Sequence, residues 1–370
     1  MKRKIRMGLV GGGPGSFIGA VHRIAARLDG QIELVCGAFT RDPVKCKAMA
    51  QELYLPEERC YASYKEMIEC ESKLPAGERM DFVSICTPNH IHAEIALYAM
   101  DHGFDVLCEK PMTLTVEEAE ALAAKVKETG LVFALMHNYT AYPMVRVAKE
   151  MIANGDLGEI RRIMAEYPQG WLADVVTEEN KQGSWRTDPA TTGISCCMGD
   201  IGSHAENLSE FITGLQISEL CSNIKNFVPG RSGLDDDGDV LLRFENGAVG
   251  SILTSFDVWA STLPRIEVYG TRGAMIVPDP NGFDGPVLVK QSFDADFKPW
   301  PVMTENSVNS RGIGLSDMAD RILNGRDSHR ASGDIALHVL EIMEAIHVSS
   351  DRRCQVKLES TCTRPEPMKL

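Results

Sequence analysis

The first part of the chain alternates short apolar runs with amphipathic stretches. The apolar runs predict β-strands, and the amphipathic stretches between them predict helices. The predicted strands cover residues 5–10, 32–39, 82–86, 106–108 and 131–136, and the predicted helices cover residues 20–28, 42–53, 91–102 and 115–130. Asp42 before Pro43, and Thr115 before Glu118, are typical helix starts. This alternation predicts right-handed β-α-β units and an α/β domain with a parallel sheet.

The pattern changes near residue 138. Residues 143–154 predict one more helix, and strand-like alternation dominates after it. Strands are predicted at residues 160–167, 217–224, 240–244, 248–255, 266–269 and 274–277, and two late helices at 315–323 and 335–347. Asn246-Gly247 separates two of these strands and predicts a hairpin. The second part is therefore expected to carry a mostly antiparallel sheet with a few helices.

Length and composition are those of an ordinary globular protein. A chain of 370 residues is long for one hydrophobic core, so two domains are expected. The net charge of −14 argues against nucleic acid or an anionic membrane as a partner, and no apolar run reaches membrane-spanning length. The 11 cysteines are scattered without a Cys-x-x-Cys pair, which is typical of buried thiols in a reducing cytoplasm.

A glycine-rich loop at residues 11–19 joins the first strand to the first helix. This context is typical of a dinucleotide-binding site. Gly11 would permit the tight turn, and Gly13 would let the backbone approach a pyrophosphate at the positive helix N-terminus. The third glycine of the usual pattern is replaced by Ser16, so we assign the helix-packing role to Gly19. The alternative is a glycine-rich turn without a ligand.

The end of the second strand bears on the choice between NAD and NADP. No acidic residue precedes Asp42 there, although NAD enzymes usually carry one for the ribose hydroxyls. Thr40 and Arg41 would suit the 2′-phosphate of NADP, but Arg41 could equally stack on the adenine of NAD. Both cofactors stay open at this point.

Lys110 follows the fourth strand, within Glu109-Lys110-Pro111. Pro111 favours an extended backbone at Lys110, which would project from the carboxyl end of the sheet, where such folds bind ligands. Pro88 and Asn89 follow the third strand and are expected at the same edge. Lys110 is thus a candidate acid or base, and the alternative is a surface lysine in a salt bridge with Glu109.

A second candidate group lies at residues 199–207. In a helix, Asp200, His204 and Asn207 would share one face, where an Asp and a His can hold hydroxyl groups and pass a proton. The alternatives are Asp200 as a helix N-cap and His204 as a core histidine. Cys196 and Cys197 precede them, but the spacing matches no zinc pattern, so no metal is predicted.

Five motifs taken together resemble the Gfo/Idh/MocA family, that of glucose–fructose oxidoreductase and inositol dehydrogenase. They are the glycine-rich start, residues 87–92 (Thr-Pro-Asn-His-Ile-His), 109–111 (Glu-Lys-Pro) and 185–189 (Trp-Arg-Thr-Asp-Pro), and Asp200-x-x-x-His204. The resemblance implies a Rossmann domain over residues 1–138 and an α/β domain with a large open sheet over 139–370 for substrate binding and oligomerisation. It also implies NAD or NADP as cofactor and a homo-oligomer, a dimer or tetramer. The extended glycine loop departs from the family pattern.

The resemblance also implies a set of site residues. The implied catalytic residues are Lys110, Asp200 and His204. The implied cofactor-binding residues are Gly11, Gly13, Gly15, Ser16, Phe17, Ile18, Thr40, Arg41, Thr87, Pro88, Asn89, His92, Glu109 and Lys110. The implied substrate-binding residues are Lys110, Asn138, Tyr139, Gln169, Trp171, Trp185, Arg186, Asp200 and His204.

The function expected from this resemblance is hydride transfer between a nicotinamide and a secondary hydroxyl of a sugar, glycoside or inositol. His204 is the first choice for base or proton relay together with Lys110, and Asp200 would orient the substrate and His204. Residues 183–189 are similar to branches of the family that act on sugar rings or glycosides, some at the C3 hydroxyl. Two alternatives stay open: an NAD-dependent glycosidase that oxidises C3 transiently, and a non-catalytic protein that senses NAD(P) or a sugar.

Overall fold

The computed structural model describes most of the chain, in two compact units. The described residues are 3–28, 30–177, 180–231, 233–259, 265–279, 281–282, 285–301, 311–312, 314–324 and 332–362. One unit comprises Met1–His137 and Arg311–Leu337, and the other comprises Asn138–Ser310 and His338–Leu370. The boundary predicted from the sequence leaves residues 311–337 in the second domain, whereas the described residues of this segment, 311–312, 314–324 and 332–337, cluster with the first unit.

A five-stranded sheet forms the centre of the first unit. Its strands are β1 Ile5–Gly11, β2 Ile32–Ala38, β3 Phe82–Cys86, β4 Asp105–Cys108 and β5 Phe133–Leu135. The spatial order is β2-β1-β3-β4-β5, and all pairs are parallel, which confirms the predicted parallel sheet. Because β1 lies between β2 and β3, the strand order reverses beside β1, where such sheets bind their ligands.

The helices of the first unit follow the strands, as the sequence predicts. Helices are numbered along the whole chain; those of this unit are α1 Phe17–Ala25, α2 Pro43–Glu52, α3 Tyr64–Ser72, α4 His92–Asp101, α5 Val116–Thr129 and α10 Gly314–Asn324. Asp42 caps α2 by accepting from Val44 N at 3.0 Å, and Thr115 caps α5 by accepting from Glu118 N at 3.2 Å. Both predicted helix starts are thereby confirmed.

Helix α10 belongs to the first unit because of its apolar face. Leu315, Met318 and Ala319 are buried in one cluster with Ala25 and Ala26 at the end of α1. This contact brings a late segment of the chain back to the helix that follows the glycine-rich loop.

The second unit contains a nine-stranded sheet. Its strands are β6 Ile160–Pro168, β7 Ile217–Lys225, β8 Asp237–Phe244, β9 Val249–Ser255, β10 Arg265–Gly270, β11 Gly273–Pro278, β12 Val287–Gln291, β13 Lys298–Trp300 and β14 Val356–Lys357. The order is β13-β12-β11-β10-β6-β9-β8-β7-β14. β6 and β9 pair in parallel and the other neighbours pair antiparallel, which confirms the mostly antiparallel sheet.

One face of this sheet packs on helices and the other carries exposed side chains. The remaining helices are α6 Pro143–Ala153, α7 Lys181–Arg186, α8 Pro189–Thr192, α9 Ser203–Thr213 and α11 Gly333–Arg352. Single 3₁₀ turns occur at Glu57–Arg59, Asn89–Ile91 and Asn138–Ala141, and a π-helical turn occurs at Met198–Gly202. Along β8, Val240 and Leu242 are buried while Leu241 is exposed, so the strand has the alternation of a sheet covered on one side. The hairpin predicted at Asn246-Gly247 joins β8 to β9.

Within the described residues, no helix combines the length and apolar character that crossing a membrane requires.

Gly19 in α1 packs directly against the glycine-rich loop. A Cβ atom at Gly19 would lie 2.4 Å from Gly12 Cα, so the helix can approach the loop only without a side chain there. We expect Gly19→Val to lower the free energy of unfolding by about 1–3 kcal/mol or more through overpacking. Urea unfolding of the purified protein measures this. Gly77→Val is the matched control, since a Cβ there meets no atom within 4 Å; equal stability of the two variants would contradict the packing role.

Candidate active site

The glycine-rich loop leads the chain from β1 to the N-terminus of α1. Gly11, Gly12 and Gly15 have φ of 78°, 69° and 80°, in the left-handed region that favours glycine. Ser16 caps α1 by accepting from Gly19 N at 3.3 Å, and the first turn of α1 holds no acidic residue. The N–H groups at this helix end and the helix dipole therefore suit an anion such as a pyrophosphate.

Gly13, Phe17 and Ile18 of this loop differ in burial and packing. A Cβ atom at Gly13 would lie 2.7 Å from Phe39 O, so the fold itself requires glycine there; its approach to a pyrophosphate stays a prediction. Ile18 packs against the apolar cluster that contains Phe39, whereas the Phe17 side chain is largely exposed. The loop thus offers a ligand mainly its backbone.

The segment after β2 places Thr40 and Arg41 at the rim of the same sheet. Thr40 Oγ1 accepts from Asp42 N at 3.3 Å, and the Arg41 side chain is exposed. The Asp42 carboxylate caps α2, and hydrogen bonds from Lys45, together with that from Val44 N, lower its pKa. Because the Asp42 carboxylate is already hydrogen-bonded to the start of α2, Thr40 and Arg41 are the side chains that would distinguish NAD from NADP here.

The loop after β3 contains a buried hydroxyl and a buried histidine. Thr87 Oγ1 is buried and has no hydrogen-bond partner among the described residues. The His92 ring lies 2.8 Å (Nδ1) from Pro111 O and 3.0 Å (Nε2) from Thr87 O, so it braces this loop against the loop after β4. Burial lowers the pKa of His92, and the ring is therefore neutral near pH 7 and donates from one nitrogen at a time. A cofactor contact by His92 stays a prediction.

Lys110 leaves the sheet at the carboxyl end of β4. The preceding Glu109 side chain is buried; its Oε1 lies 2.7 Å from His22 Nε2, and its Oε2 accepts from Lys110 N at 3.3 Å. Both interpretations of Lys110, an acid or base and a lysine paired with Glu109, stay predictions. The Lys110–Pro111 peptide bond is cis.

These loops fit a dinucleotide. They follow β1, β3 and β4, which are neighbours in a parallel sheet, so all three loops start at one sheet edge. The edge combines a helix N-terminus for phosphate, a buried hydroxyl at Thr87 that lacks a partner in the described part of the chain, and the half-buried Lys110. This donor set suits an anionic cofactor, and the acid–base role of Lys110 stays a prediction.

The second unit carries the Asp200–His204 pair. Asp200 lies in the π-helical turn Met198–Gly202, and His204 lies in the first turn of α9. The sequence predicts one regular α-helix over Asp200 and His204, whereas the structure has a π-helical turn at Asp200 and an α-helix from Ser203 onwards. Such π turns are frequent at functional sites. The N-cap position of α9 is Gly202, so the alternative of Asp200 as N-cap is wrong.

Asp200 is held by Arg186. Arg186 Nε donates to Asp200 Oδ2 at 2.8 Å, and Arg186 Nη1 donates to Gln182 Oε1 at 2.8 Å. The guanidinium carbon lies 4.2 Å from the ring centre of Trp185 and 5.7 Å from that of Trp171. Of these rings, Trp171 is 39% exposed. The structure therefore gathers four of the predicted substrate residues, Trp171, Trp185, Arg186 and Asp200.

His204 is buried against an aromatic ring. Its side chain is 6% exposed and stacks on Tyr139, with ring centroids 4.1 Å apart and planes 21° apart. The hydroxyls of Tyr139 and Tyr167 lie 2.9 Å apart, and burial raises the pKa of Tyr167, which keeps that phenol neutral. The stacking fixes the orientation of an imidazole that can accept or release a proton.

Asn138 and Gln169 are two further residues that the sequence predicts to bind substrate. Asn138 is buried at the start of the 3₁₀ turn Asn138–Ala141. Gln169 N donates to Ser255 O at 2.7 Å at the end of β9. A substrate contact by either residue stays a prediction.

Glu210, His338 and Cys362 form a buried cluster whose potential ligand atoms lie within 4.8 Å of one another. Glu210 Oε1 accepts from Ile217 N at 2.6 Å and faces His338 Nε2 at 3.2 Å, while His338 Nδ1 lies 2.7 Å from Ser360 Oγ. Structural zinc sites use four protein ligands, and this carboxylate oxygen is already engaged twice. We interpret the cluster as a hydrogen-bond network between α9, α11 and the following segment.

Comparison with known proteins identifies the family. The model of the oxidoreductase family with an NAD-binding Rossmann fold matches residues 5–137, and the model of the GFO/IDH/MocA C-terminal domain matches residues 145–276. This chain belongs to the Gfo/Idh/MocA oxidoreductase family. The predicted family, fold class and enzyme class are confirmed, as is the predicted nicotinamide dinucleotide as cofactor.

Three similar proteins illustrate the relationship. An uncharacterised oxidoreductase of Bacillus subtilis, YfiI, is 33% identical over 282 residues, which cover 74% of this chain and 70% of that protein. The levoglucosan dehydrogenase of Pseudarthrobacter phenanthrenivorans is 29% identical over 300 residues, which cover 74% of this chain and 73% of that protein. An inositol dehydrogenase homologue from Azotobacter vinelandii, solved with NAD+, has a TM-score of 0.85 at 28% identity and covers 97% of this chain and 98% of that chain.

Proposed function

We propose that this protein is an NAD(P)-dependent dehydrogenase that transfers a hydride between the nicotinamide and a secondary hydroxyl of a sugar, glycoside or inositol. The observation that carries the substrate class is the arrangement around Asp200, where a carboxylate, a guanidinium and two indole rings lie together. Carboxylates bind hydroxyl groups, and indole faces pack on the C–H faces of sugar rings. A levoglucosan dehydrogenase and an inositol dehydrogenase homologue among the similar proteins support the same class.

Named residues of the first unit would hold the cofactor. The pyrophosphate would lie at the N-terminus of α1, the ribose near Thr40 and Arg41, and Thr87 would offer its buried hydroxyl. When bound, the nicotinamide supplies the acceptor or donor of the hydride, which no side chain can replace. The exposed Arg41 and the engaged carboxylate of Asp42 keep both NAD and NADP compatible with this end of the site.

The side chains supply the proton chemistry. A carbinol carbon that loses hydride becomes cationic unless its hydroxyl proton also leaves, so a positioned base lowers the barrier, typically by a factor of about 10²–10⁴. We assign this proton to His204 and Lys110 together, with His204 as base or relay. Asp200, oriented by Arg186, would hold a neighbouring hydroxyl and keep the substrate in place.

A panel assay tests the proposal. The absorbance of reduced nicotinamide is followed with sugars, anhydrosugars, glycosides and inositols, each with NAD+ and with NADP+. We expect reduction with at least one compound of these classes and a preference for one cofactor. Release of free sugar from glycosides without net reduction would instead support the glycosidase alternative. Binding of cofactor or sugar without any turnover would support the sensor alternative.

We also propose that the protein is a cytoplasmic homo-oligomer, a dimer or tetramer. Its eleven cysteines are free thiols, as is typical of a reducing compartment. On the outward face of the large sheet, Leu241 of β8 is 65% exposed and Leu253 of β9 is 37% exposed, and an apolar sheet face of this kind favours association. Light scattering coupled to gel filtration measures the oligomeric state, and a monomer at micromolar concentration would contradict it.

A further inference from the structure

His22 is a fully buried histidine on α1, the helix that begins at the glycine-rich loop. Its Nδ1 lies 2.7 Å from Ser84 Oγ on β3, and its Nε2 lies 2.7 Å from Glu109 Oε1 at the end of β4. Both partners are buried as well. The ring therefore links one helix and two strands of the first unit through short polar contacts.

The surroundings of His22 favour its charged form. Burial lowers its pKa, but the neighbouring Cys86 and Glu109 outweigh this and raise the pKa to about 10. The raised pKa favours an imidazolium, which would donate to both Ser84 Oγ and Glu109 Oε1, each 2.7 Å away. A buried charge of this kind is tolerated only when it is paired, and Glu109 pairs it.

The contact continues to Lys110. Glu109 Oε1 faces His22, while Glu109 Oε2 accepts from the backbone N–H of Lys110 at 3.3 Å. The carboxylate thus lies between the imidazolium and the backbone from which Lys110 projects. If the imidazolium were removed, the Glu109 carboxylate would be buried without its cation and would have to take up a proton or turn towards another one.

We propose that His22 is a positioning residue for hydride transfer: it holds the Glu109 carboxylate, which in turn fixes the backbone at Lys110 relative to the helix of the glycine-rich loop. The residue acts through Glu109, since its ring is fully buried and both of its nitrogens face protein atoms. This inference rests on the proposed function and on the role of Lys110 in it. Small displacements of a catalytic group are costly, since a shift of about 1 Å can lower the rate about 100-fold.

His22→Gln tests the proposal on the full-length protein with its cofactor. We expect kcat to fall about 10- to 100-fold, the dissociation constant for the oxidised cofactor to change less than about threefold, and the pH profile of kcat/KM to shift. A purely structural His22 would lower the melting temperature but leave the pH profile and the kcat of the folded enzyme unchanged. His102→Gln is the matched control, because that half-buried histidine lies at the end of α4, where its Nδ1 is 2.8 Å from Tyr98 O and its ring is 4.5 Å from the Tyr98 ring. It should match the wild type.

Glu109→Gln is the second variant, in case His22→Gln does not fold. The amide keeps the size of the side chain and can accept from His22, but it removes the charge. It should lower kcat and shift the pH profile as well. The double variant should be no slower than the slower single variant, because the two residues act in series. Multiplying effects, or wild-type kcat and pH profile in either folded single variant, would overturn the proposal.

Lys110→Ala, assayed alongside, distinguishes loss of the positioning role of His22 from loss of the catalytic assignment of Lys110. If it is inactive while His22→Gln behaves as wild type, only the positioning role is lost. If Lys110→Ala itself keeps wild-type turnover, the catalytic assignment is lost, and the positioning role of His22 with it.

Discussion

Lys110→Ala is expected to lower turnover about 10³-fold or more while the affinity for the cofactor changes little. Lys110 follows the carboxyl end of β4 and lies outside the glycine-rich loop that precedes α1. In the proposed function Lys110 takes part in proton transfer, for which losses of about 10²–10⁴ are typical, and its removal leaves the backbone of the glycine-rich loop unchanged. Steady-state rates from the absorbance of reduced nicotinamide and cofactor titration by fluorescence measure the two quantities on one preparation.

Lys73→Ala provides the control for this variant. Lys73 is an exposed lysine at the end of α3, in the same unit, and its removal should leave rate and affinity unchanged. Turnover near that of the wild type in Lys110→Ala would contradict its catalytic role. A large loss of cofactor affinity would instead make Lys110 a cofactor-binding residue first.

Local signals explain the parts of the fold that the sequence predicted well. Asp42 before Pro43 and Thr115 before Glu118 satisfy their own helix ends, and the structure shows these hydrogen bonds. Residues 82–86 form an apolar run, and the strand has these bounds because both of its faces are buried. Asn246-Gly247 closes a hairpin between adjacent strands. Each of these features depends only on residues a few positions apart.

Features that depend on distant residues were not predicted. The return of α10 to the first unit rests on one buried cluster that holds Leu315 and Met318 together with Ala25, about 290 positions earlier. The parallel pairing of β6 with β9 joins segments separated by two other strands. Strands β12, β13 and β14 and helix α3 are short or polar, so their sequences carry little periodicity.

In the candidate site, too, local motifs were predicted and contacts between distant residues were not. Lys110 and Asp200 stood out because of their motifs, whereas the bond from Arg186 to Asp200 spans 14 positions and required the fold. His22 was missed, although it lies on the buried face of α1 with Val21 and Ala25. Two sequence features could have indicated this contact. His22 lies among apolar positions of a helix, and Glu109 is an acidic residue directly after a buried strand.

His204→Asn is expected to lower turnover by about two orders of magnitude or more while the melting temperature stays nearly the same. Asparagine keeps much of the size of the side chain and some hydrogen bonding, but it cannot take up a proton near neutral pH. The stack on Tyr139 buries the ring, so the structure is compatible with both a base and a core histidine. The ratio of activity loss to stability loss distinguishes the two roles.

His338→Asn supplies the matched comparison in the same unit. His338 is also fully buried, but its nitrogens face Ser360 Oγ and Glu210 Oε1 in the network between α9 and α11. Its replacement should lower the free energy of unfolding by about 1–3 kcal/mol and leave the specific activity of the folded enzyme unchanged. If His204→Asn behaves in this same way, destabilised but fully active, His204 is a core histidine and the proton chemistry belongs to Lys110 alone.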